Sequence, residues 1–456
     1  MPPTAAAPEL DEADFELPEG LSLPETLAFA SRLHQLGQLD PAVALYERVL
    51  AEAPDQPDAL AFLGIASHQR GDSARAIALL RRSLEIAPRA GGWNNLGNVL
   101  LAQRRFDEAG TAYEHCVALE PGNVEVFNNL GVLRRAQRRD AEAEQAYLRA
   151  LDIDPENPDV HNNLGNLRLD QGRVPEAVAH FCRALLVLPL SPSTRRMLAS
   201  AHLLLGERDK AAQIFRDWLA AEPDSATARH HLAACTGDDV PERADDAYVE
   251  ATFDSFADSF ESKLASLTYR APELLRDALA RRCGEPDASL SVLDAGCGTG
   301  LCGPLIRPWA VRLEGVDLSA RMLQSAAQKR VYDGLYKCEL TEFLAATPPR
   351  WDVVLSADTL CYFGDLRAVL AAARQTLRPP GLLLFTVEAL DAASGEDWRL
   401  MGHGRYAHSA AYVRRCLAEL GYVGIRLDPV DLRTEAGRPV AGLVVEAFRP
   451  AEDTPR

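Results

Sequence analysis

The chain has 456 residues, of which 47% are hydrophobic and 25% are charged. These proportions are typical of a globular protein, and the length predicts more than one domain. The formal net charge of -18 at pH 7 opposes binding to nucleic acid or to an acidic membrane, because phosphate affinity depends on cationic side chains. We therefore expect no nucleic-acid partner and no membrane association.

Two further features predict a cytoplasmic location. Residues 1–20 are acidic and lack the basic start and apolar core of a signal peptide, and no apolar run approaches the roughly 20 residues of a membrane span. The 9 cysteines, an odd number without the framework of a small secreted domain, are typical of a reducing compartment. We predict a disordered acidic tail over residues 1–20 and a second tail over 451–456.

The first half of the chain is periodic, with a proline every 33 or 34 residues. These prolines are Pro54, Pro88, Pro121, Pro155, Pro189 and Pro223. An alanine stands twelve residues before each proline, and a tyrosine, leucine or phenylalanine stands eight residues before it. The pattern predicts two helices per repeat, in which the small residue allows close approach, the large one fills the space between helices and the proline ends the second helix.

Glycines recur in phase with this period. One set follows a leucine in the first helix of a repeat and comprises Gly64, Gly97, Gly131 and Gly165. A second set fits the turn between helices and comprises Gly37, Gly71, Gly172 and Gly206. The pattern resembles the tetratricopeptide repeat from about residue 24 to 223, and the resemblance implies an all-α superhelix over 21–236 with about six repeats and a capping helix.

Three repeats carry paired asparagines, in WNNLGN (93–98), FNNLGV (127–132) and HNNLGN (161–166). Asn94 and Asn98, like Asn162 and Asn166, are one helical turn apart, and Asn128 extends the row. One interpretation is inheritance from a single duplicated unit. The other is a peptide-binding row, because some tetratricopeptide superhelices line their groove with asparagines that grip extended polypeptide. We expect a protein or peptide partner here.

From about residue 239 short apolar runs alternate with helical segments, which predicts an α/β sheet. Helical segments separate the first five predicted strands, so we expect these to be parallel and the last two to form an antiparallel pair. The predicted strands are 291–295, 312–316, 335–338, 352–357, 382–387, 423–428 and 440–448.

The stretch VLDAGCGTG (292–300) places three glycines directly after the first of these strands. Gly296, Gly298 and Gly300 leave no side chain between the backbone and a ligand, and the following helix would direct its N-terminus at an anionic group. Asp317 ends the next strand, where a carboxylate can bind ribose hydroxyls. A dinucleotide and S-adenosylmethionine both satisfy these features, but Asp294 would repel a pyrophosphate.

The loop resembles motif I of the class I methyltransferases that bind S-adenosylmethionine, and VDLSARML (316–323), CEL (338–340) and WDVVLSADTLCYF (351–363) resemble their later motifs. This resemblance implies a Rossmann-like α/β domain over 289–450, with a seven-stranded, mostly parallel sheet and a helical lid and linker over 237–288. The positions that it assigns to S-adenosylmethionine are Asp294, Gly296, Gly298, Gly300, Asp317, Leu318, Glu339, Leu340 and Ser356.

The remaining motifs concern the methyl acceptor. GRYAHS (404–409) and LRTEAGRPVAG (432–442) resemble segments of bacterial proteins described as predicted methyltransferases fused to tetratricopeptide repeats. If the acceptor must lose a proton, His408 is the candidate base, with Asp358 and Tyr362 near the acceptor. Arg405 and Tyr406 are candidate acceptor contacts. Each has a structural alternative: a buried histidine, hydrogen bonds within the cofactor pocket, or an ion pair for Arg405.

No metal site is expected, because Cys297 and Cys302 lack the C-x-x-C spacing. We therefore predict a methyltransferase that depends on S-adenosylmethionine and whose repeats recruit a protein, either as substrate or as scaffold. Two alternatives stay open: an adaptor whose sheet domain binds cofactor without turnover, and a nucleotide-linked oxidoreductase that uses the same glycine loop.

Overall fold

The structure is a computed structural model that describes residues 21–257, 260–435 and 438–451. The predicted tail over 1–20 and nearly all of the tail over 451–456 lie outside these residues. The chain divides into two compact units, Met1–Pro189 and Leu190–Arg456. The division precedes the last predicted repeat, so the helices of that repeat belong to the second unit. The predicted extents of the separate domains stay a prediction.

The first unit is a series of helix pairs. Its helices are α1 (Leu23–Gln35), α2 (Leu39–Glu52), α3 (Pro57–Gln69), α4 (Ser73–Ile86), α5 (Ala90–Ala102), α6 (Phe106–Leu119), α7 (Val124–Ala136), α8 (Asp140–Ile153), α9 (Pro158–Asp170) and α10 (Val174–Val187). Side chains of Asn123 and Asn157 accept hydrogen bonds from the first turns of α7 and α9, which fixes where these helices begin.

The glycines in phase with the repeat allow the two helices of a pair to pack closely. A Cβ atom on Gly131 would lie 2.5 Å from Cδ1 of Tyr147, and one on Gly165 would lie 2.5 Å from Cε1 of Phe181. Both aromatic rings are fully buried, so each first helix can approach its partner only where no side chain intervenes. The turn glycine Gly172 has a φ of +72°, which a residue with a Cβ rarely adopts.

The second unit begins with helices that continue the repeat pattern. They are α11 (Pro192–Leu204), α12 (Arg208–Ala221) and α13 (Ala226–Thr236), followed by α14 (Asp246–Phe256), α15 (Phe260–Ser266) and α16 (Ala271–Cys283). The strands are β1 (Leu290–Ala295), β2 (Ala310–Asp317), β3 (Gly334–Lys337), β4 (Trp351–Ser356), β5 (Leu377–Ala389), β6 (Trp398–Leu400), β7 (Tyr406–His408), β8 (Val423–Glu435) and β9 (Arg438–Arg449). Between them lie α17 (Gly303–Ile306), α18 (Ala320–Gln328), α19 (Leu340–Ala346), α20 (Arg367–Thr376) and α21 (Ala410–Glu419).

The described strands form one sheet in which β3, β2, β1, β4 and β5 are neighbours in that order and all pair in parallel, as predicted. The predicted antiparallel pair is β8 with β9, and β9 also pairs with β5. Residue 437, in the turn predicted between β8 and β9, lies outside the described residues. Over the described residues the sheet has nine strands rather than the predicted seven, because β6 and β7 are too short for a periodic signal.

Both faces of the sheet are covered. Leu293, Val354 and Phe385 belong to one buried cluster, whereas their sequence neighbours Val292 and Val353 belong to another on the opposite face. Strands buried on both faces read as continuous apolar runs, which is why the sequence identified the central strands. No helix in the described residues is long and apolar enough to cross a membrane.

Candidate active site

A cavity of about 300 Å³ opens at the carboxyl ends of β1, β2 and β4. Of the residues that the sequence assigned to the cofactor, those lining it are Gly296, Gly298, Asp317, Leu318, Glu339 and Leu340. Asp358, Tyr362 and Arg405 line the same cavity. Cofactor and acceptor candidates separated by about a hundred residues of sequence are therefore brought together at one sheet edge, where ligands of parallel sheets bind.

The glycine loop has a conformation that only glycine adopts readily. The φ angles of Gly296, Gly298 and Gly300 are +76°, +54° and +83°. A Cβ on Gly296 would also lie 2.6 Å from Cβ of Thr359, whereas a Cβ on Gly298 would meet only a ring atom of Phe260 at 3.8 Å. Gly296 is thus required by packing, and Gly298 presents bare backbone to the cavity.

Asp317 at the end of β2 holds this loop in place. Its Oδ2 accepts a hydrogen bond from the backbone N–H of Gly298 at 2.8 Å, and its Oδ1 accepts one from that of Ser319 at 2.9 Å. Burial raises the pKa of the carboxyl, opposed by these backbone donors. Each carboxylate oxygen has a second lone pair, so Asp317 can also accept from the hydroxyls of a ribose.

Glu339 combines a structural contact with an open acceptor. Its Oε2 caps α19 by accepting from the backbone N–H of Glu342 at 2.8 Å. Its Oε1 is buried and accepts no hydrogen bond within the described residues, with Arg243 Nη1 at 3.4 Å. A buried acceptor without a donor is costly, so a ligand amine at this end of the cavity would supply what the oxygen lacks.

Three residues assigned to the cofactor do not line the cavity: Asp294, Gly300 and Ser356. The side chain of Asp294 points into the sheet interior, where Oδ2 accepts from the hydroxyl of Tyr332 at 2.7 Å and burial raises the pKa to about 7. Ser356 donates to the carbonyl of Ala295 at 2.8 Å and joins β4 to β1. The side chains of Asp294 and Ser356 are thus engaged within the fold, because alternate strand residues face opposite sides of the sheet, and direct contact of these residues with the cofactor stays a prediction.

The candidate acceptor end contains Asp358, which has a φ of +52°. Thr386 fixes it from two sides: the hydroxyl accepts from the backbone N–H of Asp358 and donates to Oδ1, both at 2.9 Å. Oδ2 accepts from Nη1 of Arg433 at 2.9 Å. Burial raises the pKa of this carboxyl, and the guanidinium opposes the rise.

Asp358 belongs to a charge cluster that comprises Asp358, Glu388, His403, Arg405, Arg433 and Glu435, in which Glu388 and Arg433 are buried and His403 is exposed. Nε of Arg433 contacts Glu435 at 2.7 Å, and another of its nitrogens contacts Glu388. Arg405 donates to the same two glutamates, at 2.6 Å to Glu388 and 2.5 Å to Glu435. Burial raises the pKa of Glu388, but the hydrogen bond from His403 and the guanidinium groups of Arg405 and Arg433 hold it below its usual range. Sequence reasoning gave no role to Thr386 and Glu388 on β5 or to Arg433 on β8, although Arg433 lies within LRTEAGRPVAG.

Two acceptor-end predictions fail. His408 is fully buried on β7, where Nε2 lies 2.8 Å from the carbonyl oxygen of Phe363, and it does not line the cavity. Burial lowers its pKa to about 4, so this imidazole is a neutral structural donor and not the predicted base. Tyr406 is also fully buried, and its hydroxyl donates to the carbonyl of Pro241 at 2.8 Å. Both residues lie on the short strand β7 two positions apart, so their side chains share one face and both are buried.

The predicted lid corresponds to α14 and α15. Phe253, Phe256 and Phe260 line the cavity, and the ring of Phe253 lies 5.4 Å from that of Tyr362. The lid is tied to the cofactor side, since Asp254 accepts from the hydroxyl of Ser319 at 2.5 Å. Residues 258 and 259, within the predicted lid, lie outside the described residues.

The asparagines of the repeat unit form hydrogen bonds between successive first helices. Nδ2 of Asn129 donates to Oδ1 of Asn94 and of Asn98, each at 3.0 Å, and Nδ2 of Asn163 donates to Oδ1 of Asn128 at 2.8 Å. The predicted row is thus joined through Asn129 and Asn163, the second asparagines of two of the pairs, to which sequence reasoning gave no role.

Further contacts show how much of this row is already engaged. Asn94 is 3% exposed and donates to Glu125 at 2.8 Å. Oδ1 of Asn166 is buried and accepts no hydrogen bond in the described part of the chain, and Asn162 has an interaction of its own. Some of the donors and acceptors of these asparagine side chains therefore stabilise the packing of successive repeats and are not available to a peptide.

Known proteins match both halves of the chain. Residues 267–427 match a family described as "Methyltransferase domain", and residues 10–234 match one described as "Cilia and flagella-associated protein 70 C-terminal domain". The chain is 33% identical over 170 residues to a ubiquinone biosynthesis O-methyltransferase of Cereibacter sphaeroides, covering 34% of this chain and 67% of that protein. It is 36% identical over 110 residues to human methyltransferase-like protein 27, covering 24% of this chain and 45% of the relative.

Among solved structures, a thermophilic TPR protein of Thermus thermophilus is 25% identical, with a TM-score of 0.37, over 40% of this chain and 100% of that one. The parallel sheet, the glycine loop and the acid after β2 define a Rossmann-like methyltransferase domain. The chain belongs to the class I methyltransferases, whose methyl donor is S-adenosylmethionine, and it joins this domain to tetratricopeptide-like repeats.

Proposed function

We propose that the chain transfers the methyl group of S-adenosylmethionine to an acceptor in the cavity, and that the repeats recruit the protein or peptide that carries or accompanies this acceptor. One observation supports the catalytic part most directly. One cavity is lined both by the cofactor candidates Gly298, Asp317 and Glu339 and by the acceptor candidates Asp358 and Tyr362. When bound, the sulfonium supplies an electrophilic methyl group, so the protein has chiefly to position the two reactants.

The roles of individual residues follow from their contacts. Asp317 binds the ribose hydroxyls, and Glu339 accepts from the adenine amine through the oxygen that lacks a donor. The bare backbone at Gly298 admits the ligand. At the acceptor end, Phe253 and Phe256 provide apolar walls, in keeping with an acceptor that has an apolar body.

Asp358 is the best placed group for receiving a proton from the acceptor. Its carboxylate lines the cavity, is oriented by Thr386 and Arg433, and has a pKa raised by burial. A raised pKa strengthens a carboxylate as a base. Oxygen is the proposed acceptor atom, since the Cereibacter relative is named an O-methyltransferase. An acceptor hydroxyl that loses its proton during transfer would need such a base.

Calorimetric titration with S-adenosylmethionine and with NAD tests the cofactor part. We expect micromolar-range binding of the first, no binding of the second, and a loss of about tenfold or more in affinity for Asp317→Ala. Asp352→Ala is the matched control, because Asp352 also accepts from a backbone N–H at 2.8 Å but lies away from the cavity. Binding of neither ligand by the wild-type chain would contradict the proposal.

Recruitment is tested with tritium-labelled S-adenosylmethionine in a bacterial extract to which the purified chain is added. A joint substitution of Asn94, Asn128 and Asn162 by alanine should reduce labelling of the acceptor while leaving S-adenosylmethionine affinity unchanged. Gly91→Ala, on a described helix with open space at that position, is the control. Equal labelling by the triple variant and the wild type would rule out recruitment through this row.

A further inference from the structure

The segment 401–405 between β6 and β7 packs against α13, which the sequence assigned to the repeats, and against α14 of the predicted lid. Nε2 of His230, on α13, lies 2.8 Å from the carbonyl oxygen of Gly404. A carbonyl oxygen only accepts, so Nε2 carries the proton and donates. His230 is 3% exposed, which makes this a buried hydrogen bond between two distant parts of the sequence.

Neighbouring rings fix the orientation of this imidazole. The ring of His230 stacks on Tyr248 of α14 at 4.1 Å between centroids with an interplanar angle of 22°. The adjacent His231 stacks on Phe215 of α12 at 5.3 Å and 14°. Since α12, α13 and α14 all contribute, the direction in which His230 donates is set by the packing of the last repeat helices and the first helix of the predicted lid.

Gly404 shows how closely the backbone approaches these helices. Its φ is +88°, and a Cβ there would lie 2.6 Å from the hydroxyl oxygen of Tyr248 and 2.9 Å from Cε1 of His231. The backbone N–H of Gly404 donates to the carbonyl of Met401, and that of Met401 donates to the carbonyl of Arg405, both at 2.8 Å. The segment is therefore a tight turn pressed against α13 and α14.

The residues on either side of Gly404 reach the wall of the cavity. Nε2 of His403 lies 3.3 Å from Oε2 of Glu388, and Nε of Arg405 donates to Oε1 of the same carboxylate at 2.6 Å. Arg405 lines the cavity and Glu388 also contacts Arg433, the partner of Asp358. The contact at Gly404 is thus one residue away from the charge cluster that orients the acceptor end.

We infer that His230 is a positioning residue for the methyl-transfer site. By holding the carbonyl of Gly404 it fixes the turn that places Arg405 against Glu388, so α13 acts as part of the site rather than only as the predicted cap of the repeats. This inference rests on the proposed function of the cavity. Hydrogen bonds and packed aromatic rings thus connect the last repeat helices to the residues near the proposed acceptor.

The positioning role of His230 is tested by NMR of the full chain with nitrogen-15 in its arginines and with S-adenosylhomocysteine at saturation. The Nε–H signal of Arg405 is assigned by its loss in Arg405→Lys. In His230→Phe, which keeps a stacking ring and removes the donor, this signal should shift and exchange with water about tenfold faster, the factor expected for one lost hydrogen bond. His230→Gln, which keeps an N–H donor, should restore slow exchange.

His115→Phe is the matched control, because His115 also stacks on an aromatic ring, Trp93, at 4.4 Å but lies in the first unit. An unchanged Arg405 signal in His230→Phe would overturn the inference, and so would a failure of His230→Gln to restore it. If His230→Phe does not fold, Gly404→Ala displaces the same turn without a substitution in α13. It should give the same shift and faster exchange of the Arg405 signal. Absent S-adenosylmethionine binding by the wild type would instead contradict the proposed function, which keeps the two failures distinguishable.

Discussion

The backbone N–H of Gly298 donates a 2.8 Å hydrogen bond to Oδ2 of Asp317, joining the glycine loop to the acid at the end of the neighbouring strand. β1 and β2 pair in parallel from Leu290 to Ala295, so their carboxyl ends lie side by side. The acid expected to bind a ribose therefore also shapes the loop that would lie beside the rest of the cofactor. Loss of Asp317 should therefore affect both ribose binding and the conformation of the glycine loop.

Gly298 and Gly296 should respond differently to a single added methyl group. Gly298→Ala has room within the fold and costs only about 1 kcal/mol for its positive φ, but its methyl group projects toward the cavity and should weaken S-adenosylmethionine binding by about tenfold or more. Gly296→Ala meets Thr359 and should lower the unfolding midpoint as well. Calorimetry and urea unfolding measure the two effects, and equal behaviour of the variants would contradict the prediction.

Glu339→Gln should change recognition of the base. The amide can still cap α19 with its oxygen, but its NH2 group then faces the ligand amine, and affinity should fall by about tenfold. The wild type should prefer S-adenosylhomocysteine over S-inosylhomocysteine, which lacks the amine, and the variant should lose that preference. Glu342→Gln, one turn further along and exposed, is the control. If Glu339→Gln keeps the preference for S-adenosylhomocysteine, another group must bind the amine.

Gly131→Ala should destabilise the repeats by about 1–3 kcal/mol, because its methyl group overlaps the ring of Tyr147. Gly91→Ala lies in a helix with open space and should be neutral or stabilising by up to about 1 kcal/mol. Urea unfolding followed by circular dichroism measures both. Replacing Tyr147 by leucine in the Gly131→Ala background should recover part of the loss, since the equivalent Leu80 leaves Gly64 a wider gap of 3.0 Å.

His408 should make stability depend on pH. Its folded pKa of about 4 lies below the ordinary value of 6.5, so between these values the unfolded chain binds a proton that the folded chain does not. The stabilisation that results from keeping His408 neutral is fully present above pH 6.5. As the pH falls toward 4, the free energy of unfolding decreases by about 1.4 kcal/mol per pH unit. His408→Gln keeps a donor for the carbonyl of Phe363 and should show a shallower loss in urea midpoints from about pH 7 to about pH 4.5. Parallel curves for the two proteins would contradict this assignment.

Much of the fold was predictable because its signals are local. The spacing of the prolines, alanines and aromatic residues predicted helix pairs, and Gly131 against Tyr147 shows the packing that this spacing implied. Continuous apolar runs predicted the parallel strands, since both faces of the sheet are buried. VLDAGCGTG predicted the ligand loop because its positive φ angles select glycine whatever the rest of the fold.

What the tertiary structure alone decided is which side chains share a space. The direction in which Asp294, Ser356 and His408 point depends on strand pairing and on which face is covered, so residues of the right chemistry proved to be interior contacts. The opposite holds for Arg433 and Glu388, to which the sequence gave no role and which meet beside the cavity only because β5 and β8 both pair with β9. Local periodicity determines the elements, whereas the charge cluster depends on contacts between residues far apart in the chain.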